Sequence, residues 1–241
     1  MSNSTKLHIK ELSIGYNQHN PLIESINSEF TLGQTIGLVG RNGSGKSTLI
    51  KTLIKTIKPL QGEISINGEN INSFHIKQYA KLVSVLFSNH IIPGLTNVED
   101  LISLGRSPYT NFMGNLSRTD KEQIEQTMVM LNIQHLKNRM AATLSDGEKQ
   151  KVMLARALVQ DTTILLLDEP TSYLDLPSKY EFFDLLNKIG KISNKIILIA
   201  SHEWEMLSNV CSDYMIFKQK EVILSHSLKE ELESLQRVYK P

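Results

Sequence analysis

Gly40-Arg41-Asn42-Gly43-Ser44-Gly45-Lys46-Ser47-Thr48 sets glycines, an amine and hydroxyls in the spacing G-x-x-x-x-G-K-[ST]. The chemistry that spacing suits is the binding of phosphates. Gly43 and Gly45 lack Cβ atoms, so the chain bends tightly and aims backbone N–H groups inward. A helix starting here adds partial positive charge beneath an anion. Lys46 is placed to reach the terminal phosphates of a nucleoside triphosphate, and the Ser47 hydroxyl to ligate Mg²⁺.

A second group of reactive residues closes the run Ile164-Leu165-Leu166-Leu167-Asp168-Glu169-Pro170. A buried parallel strand with acids at its C-terminal end is where α/β proteins place chemistry. Asp168 is the natural partner of Ser47 on Mg²⁺, and Glu169 is set to polarise a water attacking the γ-phosphate. A third group is Leu144-Ser145-Asp146-Gly147-Glu148-Lys149-Gln150. Locally it is a helix capping box, with Ser145 as cap and Glu148 three residues on.

The elements around these groups fit the chemistry. Thr35–Val39 is a short apolar run leading into the glycine-rich loop, and Leu49–Lys55 reads as the helix leaving it. Leu7–Ile14, Ile23–Leu32 and Glu63–Gly68 read as strands of a small antiparallel sheet beside that core. Val83–Phe87 is a further strand. Asn97–Gly105 and Thr119–Leu131 read as helices, the latter opened by a capping-box pattern at Thr119–Glu122. From Thr163 strands and helices alternate: Ile164–Asp168, a helix near Ser178–Gly190, Ile196–Ala200, a helix near Trp204–Val210, and Tyr214–Phe217. The expectation is a single 1–241 domain of α/β class with a mostly parallel sheet, a helical subdomain at about 89–155 and a closing helix at about 227–238.

Composition narrows the class. The 241 residues suffice for one domain with a subdomain, at 40% apolar and 21% charged content. With 26 Lys+Arg against 25 Asp+Glu, the net charge of +1 gives no electrostatic reason to expect a nucleic-acid partner. The single cysteine, Cys211, excludes an internal disulfide and a cysteine-based zinc site, and reads as a packed thiol. No signal peptide or membrane-length apolar run is visible, so a cytoplasmic chain is expected, with other subunits supplying any spans.

The order of the three groups along the chain resembles the ATP-binding subunit of ABC transporters over nearly the full length. Leu144–Glu148 matches that family's signature segment, with Asp146 and Glu148 where Gly and Gln are commoner. Ser172-Tyr173-Leu174-Asp175 looks like the D-loop, His202 like the switch histidine, and Tyr16 like the aromatic that stacks on adenine. Glu203 follows His202 where Asp is commoner.

The resemblance implies a head-to-tail homodimer sandwiching two ATP molecules with Mg²⁺. One copy supplies Gly40–Thr48, Asp168, Glu169 and His202; the other supplies Ser145 and Gly147, and Asp175 of the D-loop segment is a further nucleotide-binding candidate. Asp146 is expected to turn away from the phosphates, toward Lys149 or Lys151. The glutamine that family members carry after this strand aligns with Ser88, so either coupling is altered here or Asn89 takes the role. Leu104–Tyr109 resembles a G-R-x-P-Y segment of importers for iron-siderophore complexes, haem and cobalamin. That points to an importer ATPase, peripheral on the cytoplasmic side of the cell membrane, bound to permease subunits and indirectly served by a substrate-binding protein. The alternative is a soluble ABC ATPase or an ATP-dependent switch without a transport partner. Cargo is read by other subunits, so this chain does not name it.

Overall fold

The computed structural model describes residues 5–89 and 95–228. Ten strands form one sheet among the described residues, in the order β5-β4-β1-β2-β10-β9-β3-β8-β7-β6. Strands β1 (Lys6–Ile14), β2 (Ile23–Thr31), β4 (Gln61–Ile66) and β5 (Glu69–Asn70) make an antiparallel edge. The other half is parallel through β3 (Thr35–Val39), β6 (Val83–Phe87), β7 (Ile164–Asp168), β8 (Ile196–Ala200) and β9 (Asp213–Lys218). Strand β10 (Glu221–Ser225) runs antiparallel to β9 and meets β2 at a single pair, Glu221 with Ser25.

The parallel strands are mainly apolar because both faces are covered. Leu165, Leu167, Ile197 and Ile199 point into one core, shared with helices α3 (Val98–Ser103), α4 (Arg118–Met130), α5 (Asp146–Val159) and α6 (Leu176–Ile192). Ile164, Leu166, Ile196 and Leu198 point into the other, which holds Leu49, Ile50 and Leu53 of α1 (Lys46–Leu53). Alternate residues of one strand therefore serve two layers. Short helices α2 (Ile76–Tyr79) and α7 (Trp204–Ser208) precede β6 and β9.

Three readings from sequence shift. Helix α1 begins at Lys46, three residues before the apolar run, because Gly45 caps it at φ 110°. The helix expected through Gly105 breaks into a 3₁₀ turn at Leu104–Arg106. The capping box of α4 is not at Thr119–Glu122 but two residues earlier. Asp120 N donates to Ser117 Oγ at 3.1 Å, and Ser117 N donates back to Asp120 Oδ2 at 2.9 Å. Asp120 is held at that position by Arg106, whose Nε donates to Asp120 Oδ1 at 2.7 Å. The closing helix expected at about 227–238 lies outside the described residues, save Leu228, which is buried in the core. Between β6 and β7 the described chain carries helices and turns, with one isolated bridge, Asn97 to Met140.

Candidate active site

The glycine-rich loop bridges β3 and α1, so a buried strand aims it and a helix N-terminus backs it. Its amine is buried: Lys46 is only 5% exposed, and Nζ donates to Gly40 O at 2.7 Å and Arg41 O at 3.1 Å. Burial pushes the Lys46 amine below its ordinary value, opposed by the charges of Glu169 and Asp168. The two acids are thus near enough for their charge to be felt at Lys46. The buried Ser44 Oγ has no hydrogen-bond partner among the described residues. No acidic residue occupies the first turn of α1, so the positive end of the helix is not neutralised locally.

The Ser47 hydroxyl donates to Asp168 Oδ1 at 2.8 Å, joining residues 121 positions apart. Strands β3 and β7 flank β8 on either side, and their parallel C-terminal ends bring the two side chains together. Burial raises the Asp168 carboxyl above its ordinary value, against the lowering effects of the Ser47 bond and of Lys51 and Lys46.

Glu169 follows in the left-handed region at φ 49°. A non-glycine residue there costs about 1–2 kcal/mol. The turn is held by the Glu169 N–H, which donates to Ala200 O at 2.8 Å. It aims the side chain at His202, whose Nδ1 lies 2.8 Å from Glu169 Oε2. Strand β8 thereby contributes at both ends of the contact, through Ala200 and through the loop that carries His202.

The other expected site residues fall into two sets. Tyr16 stands beside the loop, its hydroxyl 3.4 Å from Thr48 Oγ1, and the residue is 69% exposed. Arg41, Asn42 and Gly43 form the exposed crest of the loop. Ser145 and Asp175 make their recorded bonds within their own helices instead. Glu148 N donates to Ser145 Oγ at 3.3 Å, and Ser178 N donates to Asp175 Oδ1 at 3.2 Å, so both are N-caps. Gly147 packs toward α6, where an added Cβ would stand 3.6 Å from Ser178 Oγ. Asp146 pairs with Lys149 at 3.1 Å, and Lys151 with Glu181 at 2.6 Å.

A cleft of about 430 Å³ joins the end of β6 to the starts of α5 and α6. Ser88, Asn89, Asp146, Gln150, Glu169 and Tyr173 line it. Ser88 and Glu169 thus share one cavity, while Asn89 Oδ1 accepts from the Tyr173 hydroxyl at 2.6 Å. Gln150 was not anticipated: its Nε2 is buried without a partner among the described residues. Lys179 was also missed. It forms an ion pair with Glu203, 24 residues away, which no local pattern reveals.

The parallel sheet, the glycine-rich loop and the acids at the end of β7 define a P-loop nucleoside-triphosphate-binding domain. The ABC transporter family model matches residues 23–172, and the chain belongs to that family. It is 36% identical over 217 residues to an uncharacterised ABC transporter ATP-binding protein of Methanocaldococcus jannaschii, covering 90% of this chain and 74% of that one. It is 32% identical to the iron(3+)-hydroxamate import ATP-binding protein FhuC of Bacillus subtilis, over 94% and 83% of the two chains. Among solved structures, a metal-chelate type ABC transporter in an inward-facing conformation superposes with a TM-score of 0.83 at 24% identity, over 97% and 89% of the chains. CbiO1 of Clostridium perfringens, part of the ABC transporter complex cbiONQ, superposes with a TM-score of 0.81 at 25% identity, over 97% and 95%.

Proposed function

We propose that this chain is the ATP-binding and hydrolysing subunit of an importer for iron-siderophore or related metal-chelate cargo. The observation that carries the enzymatic part is the pairing of Ser47–Asp168 with Glu169–His202 at the ends of adjacent strands, under one buried lysine. The donor set fits a nucleoside triphosphate with a divalent cation. Lys46 offers an amine to phosphate oxygens, Ser44 an unspent hydroxyl, and α1 its N-terminus. Ser47 Oγ and Asp168 Oδ1 are hard oxygen donors of the kind Mg²⁺ takes. Bound there, the ion would neutralise charge building on the phosphates. Tyr16 supplies an exposed aromatic face for the base.

Glu169 orients and polarises the attacking water, and His202 holds the Glu169 carboxylate in place from the adjoining strand. Ser145 and Gly147 face a second copy. The solvent-accessible start of the capped helix α5 suits them to the far side of the phosphates in a head-to-tail pair. The importer part rests on the relatives, among them FhuC and the achromobactin transport protein CbrD of Dickeya dadantii, 33% identical over 88% of this chain.

No helix among the described residues is long and apolar enough to cross a membrane. Attachment then needs a permease, with a substrate-binding protein acting through it. A groove of about 450 Å³ lined by Ile76, Tyr79, Phe87, Met153 and Arg156 between α2, β6 and α5 suits an apolar helix of such a partner. The test is ATP turnover by the wild-type chain and by Glu169→Gln, together with co-purification. A drop of about 10²-fold or more with retained ATP binding supports hydrolysis at this site. Recovery of the chain without any polytopic membrane protein would refute the transport reading.

A further inference from the structure

Helix α6 reaches the loop after β8 through Lys179. Lys179 Nζ forms an ion pair with Glu203 Oε1, at 18% and 20% side-chain exposure. The same oxygen lies 3.4 Å from His202 Nε2, while His202 Nδ1 lies 2.8 Å from Glu169 Oε2. One imidazole thus stands between two carboxylates, close to Glu169 and farther from Glu203. Glu203 is fixed at the start of α7 by its own N–H, which donates to Ser201 Oγ at 3.1 Å.

Two carboxylates sharing one imidazole compete for it. A carboxylate that carries its own ammonium partner draws the ring less. Lys179 balances Glu203. We propose that Lys179 is a positioning residue for ATP hydrolysis: by occupying Glu203 it leaves His202 directed at Glu169. The proposal rests on the reading of Glu169 and His202 as the hydrolytic pair. Lys179 touches neither nucleotide nor water in this scheme. It acts through Glu203 on His202, and through His202 on Glu169.

The experiment is steady-state ATP turnover by the full chain, alone and in the assembled transporter, with thermal unfolding of every variant. Lys179→Arg keeps the charge and retains turnover. Lys179→Met lowers kcat by about tenfold, the low end for losing an outer positioning partner, with KM for ATP unchanged. Lys179→Met combined with Glu203→Gln regains most of the lost turnover, since the competing charge is gone. A pair that served only to hold α6 against α7 would instead lower the unfolding temperature of Lys179→Met and leave kcat per folded chain unchanged. Full turnover in Lys179→Met, or a loss that Glu203→Gln does not repair, overturns the proposal. Should Lys179→Met not fold, Lys179→Gln with the same second change gives the same reading. Glu169→Gln and His202→Ala are run alongside. If both turn over ATP normally, the hydrolytic pair is misread and the proposal falls with it. If both fail while Lys179→Met is normal, only the positioning role is refuted.

Discussion

The Tyr173 hydroxyl donates to Asn89 Oδ1 across 2.6 Å, tying the chain after β7 to the chain after β6. Asn89 Oδ1 is therefore engaged by Tyr173, while Ser88 and Asn89 both line the cleft that holds Glu169. Tyr173→Phe and Asn89→Ala remove the same bond. Each is expected to cost about 0.5–1 kcal/mol in urea unfolding, and the double variant no more than the larger single one. Additive losses would show that the two side chains act independently. With Ser88 in place, the assembled transporter is expected to hydrolyse ATP. Absence of turnover that Ser88→Gln restores would contradict this.

Lys46 has no free choice of conformation: its amine is buried and holds the carbonyls of Gly40 and Arg41. It both pre-shapes the loop and presents its charge to phosphates. Lys46→Ala is expected to weaken MgATP binding by about 10–100-fold, the worth of one charge-assisted hydrogen bond, measured by calorimetry. Unaltered affinity would place the phosphates elsewhere.

What the sequence made legible follows from how local each signal is. The loop at Gly40–Thr48 and the run Ile164–Asp168 carry their meaning in consecutive residues, and both stand where the pattern put them. The Ser145–Glu148 capping box is equally local and is present. The α4 cap was misplaced because two overlapping patterns compete, and the choice is made by Arg106, distant in sequence. Strand β10 was missed because Glu221–Ser225 is largely exposed and shows no buried face; neighbours β9 and β2 supply its order. Lys179 with Glu203 and Asn89 with Tyr173 are meetings of separate elements, and no spacing encodes them.

Arg106 and Asp120 form an ion pair at 2.7 Å with both side chains 6% exposed. Arg106 Nη1 also donates to Val159 O at 2.7 Å, and its guanidinium lies 3.9 Å from the Tyr109 ring centre. Burial raises the Asp120 carboxyl, but hydrogen bonds from Ser117 and the Arg106 charge outweigh it and hold it below its ordinary value. A carboxyl lowered on folding gives stability that is full above its unfolded pKa of about 3.9 and is lost as pH falls through the folded value. The stability gap between wild type and Asp120→Asn is therefore expected to shrink as pH drops below about 4. Arg106→Met, which leaves a buried carboxylate alone, is expected to cost about 3 kcal/mol at pH 7 in denaturant unfolding. A pH-independent gap would mean that the pair contributes only shape.

Gly105 leaves no room for a side chain against α5. A Cβ there would stand 2.2 Å from Arg156 O and 2.6 Å from Val159 Cγ2, both on α5. The 3₁₀ turn Leu104–Arg106 thus lies directly on the backbone of the helix that Ser145 caps. Backbone does not yield as a side chain does, so Gly105→Ala must push the turn off α5 and drag Arg106 from Asp120 and Val159 O. The expected cost is about 3 kcal/mol or more, the upper end for overpacking, because an ion pair is lost with the contact. Arg156 also lines the groove proposed for the permease helix, so the same change is expected to weaken co-purification with the membrane subunit. Measuring both separates the effects. Loss of stability with normal assembly would make Gly105 a packing residue alone, whereas normal stability would mean that α5 and the turn part more easily than their contacts indicate.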